Sequence, residues 1–470
     1  MKKNLVMLLA AILLLLSACG GEPTPGADTM PPEASAAQTP ATQTPAAQKP
    51  TTGTPPVMFP LKGDITETVL VNQDGVKITA TGLNYSNYDA QLALTIENNT
   101  DKNLSFHSGT LGYSCNSVNG YMFDGGYLNA DISAGKKSNE TISFSADELI
   151  SLGMTDIADL EVGFDISDDS YNTYLQTGPL PLKTSLADTY DYTADTYQDS
   201  VNGGALASLA VYTLDHFGTE VLFDQAGVRV VSQAIITNTE GERMLLLEVE
   251  NTSAEQVAVM LGDFHVNGLM IQSKNFSTDR VNPGKRRVIT AQLSNMLEDT
   301  YWDTFGVTEL ADITFTLSVE DGARNDLCAP TEISVAVPGT QPAFDAGGEE
   351  LYSENGIRVV YKGLIPDSSS FMDDIHALFL VENSGSVPVS ASIAYDSVSV
   401  NGFMTDAWPF DRDILPGRSA VLELTLREDS LEENGISNIE GIEEVEATFT
   451  FRDGNYHTIA EPVVTFGSNQ

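Results

Sequence analysis

Basic residues are scarce in this chain. Lys and Arg number 23 against 66 Asp and Glu, a formal net charge of −43 over 470 residues. That balance excludes nucleic acid as a partner, because its phosphates would be repelled. It also leaves no cationic surface with which to grip anionic lipid. Acidity of this kind keeps an exported chain soluble through self-repulsion. Cysteine is scarcer still, at Cys19, Cys115 and Cys328. Cys115 and Cys328 fall at non-equivalent places, so no repeated disulfide framework exists, and they are either idle thiols or one interdomain bridge. The five histidines, His107, His216, His265, His376 and His457, are scattered, and no two stand at metal-ligand spacing. Gly-x-Ser-x-Gly, His-Glu-x-x-His and P-loop patterns are all missing. The chain therefore reads as non-catalytic and without a cofactor.

Long hydrophobic runs are missing as well, apart from residues 5–16, which follow Lys2 and Lys3. That run is too short to span a bilayer and has the form of a cleaved export signal. The sequence Leu16-Ser17-Ala18-Cys19-Gly20 resembles the lipobox of bacterial lipoproteins, in which the cysteine is lipidated and becomes the first residue. Cleavage of residues 1–18 would remove Lys2 and Lys3 and take the net charge to −45. Membrane attachment is then expected through the lipid on Cys19 alone. Residues 19–60 carry ten prolines among Thr, Ala, Gln and Gly, a composition that buries no apolar surface and favours solvated, extended states. Fully extended, this tether would reach on the order of 100 Å.

What the chain does have is an internal repeat. Val118-Asn119-Gly120 recurs as Val266-Asn267-Gly268 and Val400-Asn401-Gly402, each followed by a large apolar residue and a methionine: Tyr121-Met122, Leu269-Met270 and Phe403-Met404. Asn-Gly marks a two-residue type I′ turn, which needs positive φ at both positions. About fifteen residues on, each copy reaches a turn ending in a basic residue: Ala134-Gly135-Lys136, Pro283-Gly284-Lys285 and Pro416-Gly417-Arg418. Upstream, each copy has a strand–Gly–strand opening around Gly75, Gly227 and Gly356, then an apolar strand ending in Glu97-Asn98, Glu250-Asn251 or Glu382-Asn383. Leu246-Leu247 and Leu378-Phe379-Leu380 break the alternation of that strand, as expected where both faces are covered. Asn98, Asn251 and Asn383 then supply turn chemistry. Ser145 to Glu148 and Ser430 to Glu433 fit capping boxes of short helices.

The pattern gives seven or eight short strands per unit and predicts an all-β chain of three tandem immunoglobulin-like antiparallel β-sandwiches, strung like beads. Boundaries fall at 61–184, 215–340 and 345–470, with an acidic, Tyr-rich spacer at 185–214 whose apolar stretch 205–214 reads as an added edge strand. With the lipobox and tether, these motifs resemble the telokin-like immunoglobulin-fold domains of exported lipoproteins from Gram-positive bacteria. The resemblance implies a fold and a cell-surface location more than an activity.

Two sets of residues are candidate sites. Asp165, Asp168 and Asp169 could supply oxygens to calcium around one hairpin tip, although Asp is also an ordinary turn residue there. The stretch after each Asn-Gly varies in chemistry and holds Tyr127, Phe276, Trp408 and Phe410. Exposed, these rings would stack on sugars or anchor a protein; buried, they would close the core. Met122, Met270 and Met404 are expected to be core. Two functions follow: a binding or adhesion array for a protein or glycan, or a structural spacer or chaperone-like assembly component of the envelope.

Overall fold

The computed structural model describes residues 63–467 apart from 87, 110–115, 124, 211, 239–241, 272–278, 294–301, 367–372 and 409. The residues expected to form a signal and tether, Cys19 among them, and Cys115 and Phe276 lie outside the described residues. The chain is all-β, built of antiparallel sheets stacked as sandwiches around three hydrophobic clusters. The three opening hairpins form as expected. Thr68–Gln73 pairs with Val76–Tyr85, Phe223–Gln225 with Val228–Asn238, and Glu349–Glu354 with Ile357–Pro366. The Asn-Gly turns have the paired positive φ of type I′, at 48° and 86° for Asn119 and Gly120, with the other two copies alike.

The segments do not meet as separate beads. In the first, Tyr121–Met122 leaves its Asn-Gly turn and runs alongside Arg286–Gln292 of the second, pairing parallel at Tyr121 and Arg286. The Arg286 N–H donates to the Gly120 carbonyl at 2.9 Å. In the second, Leu269–Met270 lies parallel to Arg418–Leu426 of the third, with Leu269 opposite Ser419 and Met270 opposite Ala420. One 9-stranded sheet and one 10-stranded sheet therefore run across the two boundaries. These two seams supply the parallel pairs among otherwise antiparallel ladders, because each hairpin strand inserts beside an edge that already runs its way.

Packing follows the seams. Met122 belongs to the core of the second segment and Met270 to that of the third, at 5% and 4% exposure. Val360, Leu380 and Val421 of the third segment join the core of the second. The double-sided burial expected of the Leu-Leu strands is found in Arg243–Asn251 and Ile375–Asn383, whereas the first copy, Asp89–Asn98, alternates strictly. Among the described residues, no hairpin covers its outer face.

Several local expectations are corrected. Met404 is 61% exposed, because among the described residues no strand pairs with the outer side of Phe403–Met404. Residues 205–214 are not one strand: Ala205–Ala210 is a helix, and the edge strand begins at Tyr212. The apolar run packs that helix before the chain joins the sheet. Neither capping box forms. Ser145 does precede a helix, Ala146–Ser151, but makes no side-chain cap bond. Ser430 lies inside the helix Glu428–Glu433, and its hydroxyl accepts from the Asp406 N–H instead.

Burial of the hairpin methionine sets its energetic role. Met270→Ala should destabilise the chain by about 2–5 kcal/mol, while Met404→Ala should stay within about 0.5 kcal/mol of the parent. Urea unfolding of the two variants side by side checks this.

Candidate functional site: the hairpin ends

Each hairpin is held by its asparagine. Asn119 donates from Nδ2 to the Asp156 carbonyl at 2.7 Å, and its Oδ1 accepts from the N–H groups of Ala158 and Asp159 at 2.7 and 3.2 Å. Asn267 makes the same three bonds to Glu309, Ala311 and Asp312. Asn401 makes them to Gly441, Glu443 and Glu444. The residue that sets the turn therefore also ties the hairpin to a neighbouring loop, a role its turn propensity did not reveal. Asn98, Asn251 and Asn383 act similarly from inside. Each is buried and donates to two carbonyls, so they are buried staples as well as turn residues.

At the first seam the hairpin meets a buried carboxylate. Glu248 is fully buried and accepts from the Tyr121 hydroxyl at 2.8 Å, Ser232 Oγ at 2.8 Å and Gln198 Nε2 at 2.9 Å. Arg286 Nη1 lies 3.2 Å from Glu248 and 2.7 Å from Asp195. Burial opposes the Arg286 charge, but Asp195, Tyr121 and Glu248 outweigh it and hold the guanidinium above its usual pKa. Burial, reinforced by Glu248, pushes the Tyr121 phenol up, so it stays a donor. Tyr121 comes from the first segment, Asp195 and Gln198 from the spacer, and the others from the second. This cluster fixes three parts of the chain to one another.

At the second seam the packing is apolar, and His265 is buried within it. It is 1% exposed, pairs with Met270 across the hairpin, and neither ring nitrogen has a hydrogen-bond partner among the described residues. Burial, then the Arg418 charge, lowers its pKa. Both seams end in an ion pair from the basic turn residue back to the preceding segment. Lys285 reaches Glu161 at 3.2 Å, and Arg418 reaches Glu332 at 3.3 Å.

The third hairpin end is open. Phe403 is 54% and Trp408 53% exposed, beside Met404. Ala407–Trp408 pairs with Leu426 and Thr425, and the Arg427 guanidinium sits 5.5 Å from the Trp408 ring centroid. That stacking holds the indole in place while leaving a face to solvent. Phe410, expected as part of the same surface, is instead in the core, with ring centroids 5.3 Å from Phe449 and 6.3 Å from Phe379. It points inward because the strand Asp411–Ile414 enters the sheet directly after it. Tyr127 is 70% exposed but belongs to the first segment.

The acidic tip is organised as a turn. Asp168 accepts from the N–H groups of Ser170 and Asn172 and faces Lys102 at 3.3 Å; these bonds, the Ser170 N–H foremost, hold its carboxyl below the usual range. Asp321 and Asp453 accept from the same positions of their own turns. Asp169 accepts from Asn103, and burial raises Asp165. Among the described residues no three His, Cys, Asp or Glu side chains group as a metal site.

No family model matches the chain, and no curated protein matches it. Solved structures similar in part include a protein of unknown function from Porphyromonas gingivalis W83, at 13% identity over 49% of this chain and 92% of that one, TM-score 0.15. The YadV chaperone is 13% identical over 47% of this chain and 92% of its own, TM-score 0.14. The BSP domain of a biofilm associated protein is 8% identical over 87% and 66%, TM-score 0.14. At these TM-scores the likeness carries no functional weight.

The buried neutral His265 makes stability depend on pH. Its pKa is lowered in the folded chain, so the unfolded chain binds its proton first. Stability from this group is present above about pH 6.5, the unfolded value, and is lost as pH falls below it. The melting temperature should therefore drop between about pH 7 and pH 5.5, and less steeply in His265→Gln. Thermal unfolding of both across that window measures the difference.

Proposed function

We propose that the chain is an extracytoplasmic lipoprotein, anchored through Cys19, whose tandem immunoglobulin-like, telokin-like domains form a non-catalytic binding array for a protein or glycan. The observation that carries this reading is the open hairpin end of the third segment, where Trp408 is exposed yet held by Arg427. A rigid aromatic face presents large contact area at small entropic cost, which suits sugar rings and protein anchors alike. The proline-rich tether would carry that face away from the membrane. The continuous sheets favour a second reading, a spacer or assembly component of the envelope, since welded joints transmit position as well as they present a ligand face.

Two measurements separate these parts. Binding of the full chain to a panel of glycans and surface proteins should find a ligand whose affinity falls at least tenfold in Trp408→Ala, about 1.4 kcal/mol. A ligand unaffected by that change would move the site elsewhere, and no ligand at all would favour the spacer. Cys19→Ala should shift the protein from the detergent-rich to the aqueous phase on partitioning, and an unchanged distribution would remove the lipid anchor.

A further inference from the structure

We propose that the chain binds a second copy of itself head to tail, the third segment's hairpin docking on the open edge of the partner's first segment. This surface goes beyond the ligand-binding reading and does not rest on it.

The seam is built twice within the chain from the same parts. A hairpin strand carrying an apolar residue and methionine lies parallel beside the residues that follow a Gly-basic turn. Its methionine enters the next core, and the basic residue returns to an acid of the preceding segment. The first and third segments hold halves that are unmatched among the described residues. Phe403–Met404 is the third hairpin strand, paired on one side with Ser399–Val400 and exposed on the other. Lys136–Ser145 is the strand after the first Gly-basic turn, and it closes its 4-stranded sheet as the last strand. Its partner-facing residues Lys136 and Lys137 are exposed.

Register and charge agree. Arg286 gives its N–H to Gly120 across the first seam, and Lys137 is its counterpart two residues after Gly135, so that donor faces the open edge. Lys285 and Arg418 each meet a carboxylate, whereas their counterpart Lys136 has no carboxylate partner among the described residues. Glu161, the acid that Lys285 meets, is opposite Ser117, and Glu446 is opposite Ser399 in the same position of the third segment and is exposed. An acidic hairpin end thus faces a basic edge. The receiving face of the first segment is more polar than that of the third. Thr95 and Asn139, hydrogen-bonded at 2.9 Å, stand where the third segment has Leu380 and Val421. Association between chains is therefore concentration-dependent, unlike the permanent seams within one. Because the two surfaces differ, the contact is heterologous and extends into chains of copies.

Sedimentation velocity of the full chain in mild detergent tests this with two variants. One replaces Phe403 and Met404 by Ser. The other carries Lys136→Glu and Lys137→Pro, and proline is tolerated where an edge N–H faces outward. The parent should form species that grow in steps of one chain as concentration rises, and each variant alone should stay monomeric. An equal mixture of the two variants should form dimers and nothing larger, since each retains the surface the other has lost. A parent monomeric at every concentration overturns the proposal. So does a mixture that remains monomeric, and so does self-association that survives the edge variant, which would mark a symmetric contact between hairpin ends. Circular dichroism of both variants, matching the parent, keeps misfolding from imitating monomers.

Discussion

The edge of a β-sheet is a row of backbone donors and acceptors that must be paired, covered or exposed to water. At two places this chain pairs such an edge with itself, by letting the hairpin of one segment serve as the missing strand of the next. Everything distinctive about the structure follows from that choice. The sheets cross the segment boundaries, the hairpin methionine is buried in a neighbour's core, and the basic turn residue reaches backwards to an acid. Without the seam, each of these groups would be an exposed apolar side chain or an unpaired charge.

The two seams solve the same backbone problem with opposite side-chain chemistry. The second is filled by Val360, Leu380 and Val421, which gain from leaving water and need no orientation. The first buries Glu248, and a buried carboxylate is costly unless every lone pair finds a donor. Tyr121, Ser232, Gln198 and Arg286 meet that demand from three separate stretches. Apolar contact would tolerate sliding, whereas this cluster is satisfied in one arrangement only. The spacer is recruited for the same purpose, and its acidity is partly explained by Asp195 beside Arg286.

Much of this was legible in the sequence, and the limits have physical causes. Asn-Gly predicted the turns because positive φ at two successive positions is a local property. The broken alternation of Leu246-Leu247 and Leu378-Phe379-Leu380 predicted strands covered on both faces, since burial is written residue by residue. What covers the second face is another segment, a non-local fact with no period of its own. Reading beads on a string came from treating each repeat as complete. Met122, Met270 and Met404 are identical in pattern, and only position in the chain separates buried from exposed. Phe410 shows a related limit: an aromatic beside Trp408 can face either side, and the strand that follows decides it. Ser430 matched a capping box in spacing, but the helix begins two residues earlier, so its hydroxyl serves Asp406 instead.

Repeat arrays are generally closed at both ends by units with polar outer faces, because an open end exposes what an internal joint would bury. The first segment follows that rule, with the strictly alternating strand Asp89–Asn98 and a polar edge at Lys136 and Lys137. The third does not, and Phe403 and Met404 stand in water where Tyr121, Met122, Leu269 and Met270 are buried. Substituting polar residues there would cost the isolated chain little, since both side chains are more than half exposed in their own segment. Their apolar character is therefore better explained by something that covers them than by the fold of the segment that carries them. The asymmetry between a polar first face and an apolar last one also gives the three segments a direction.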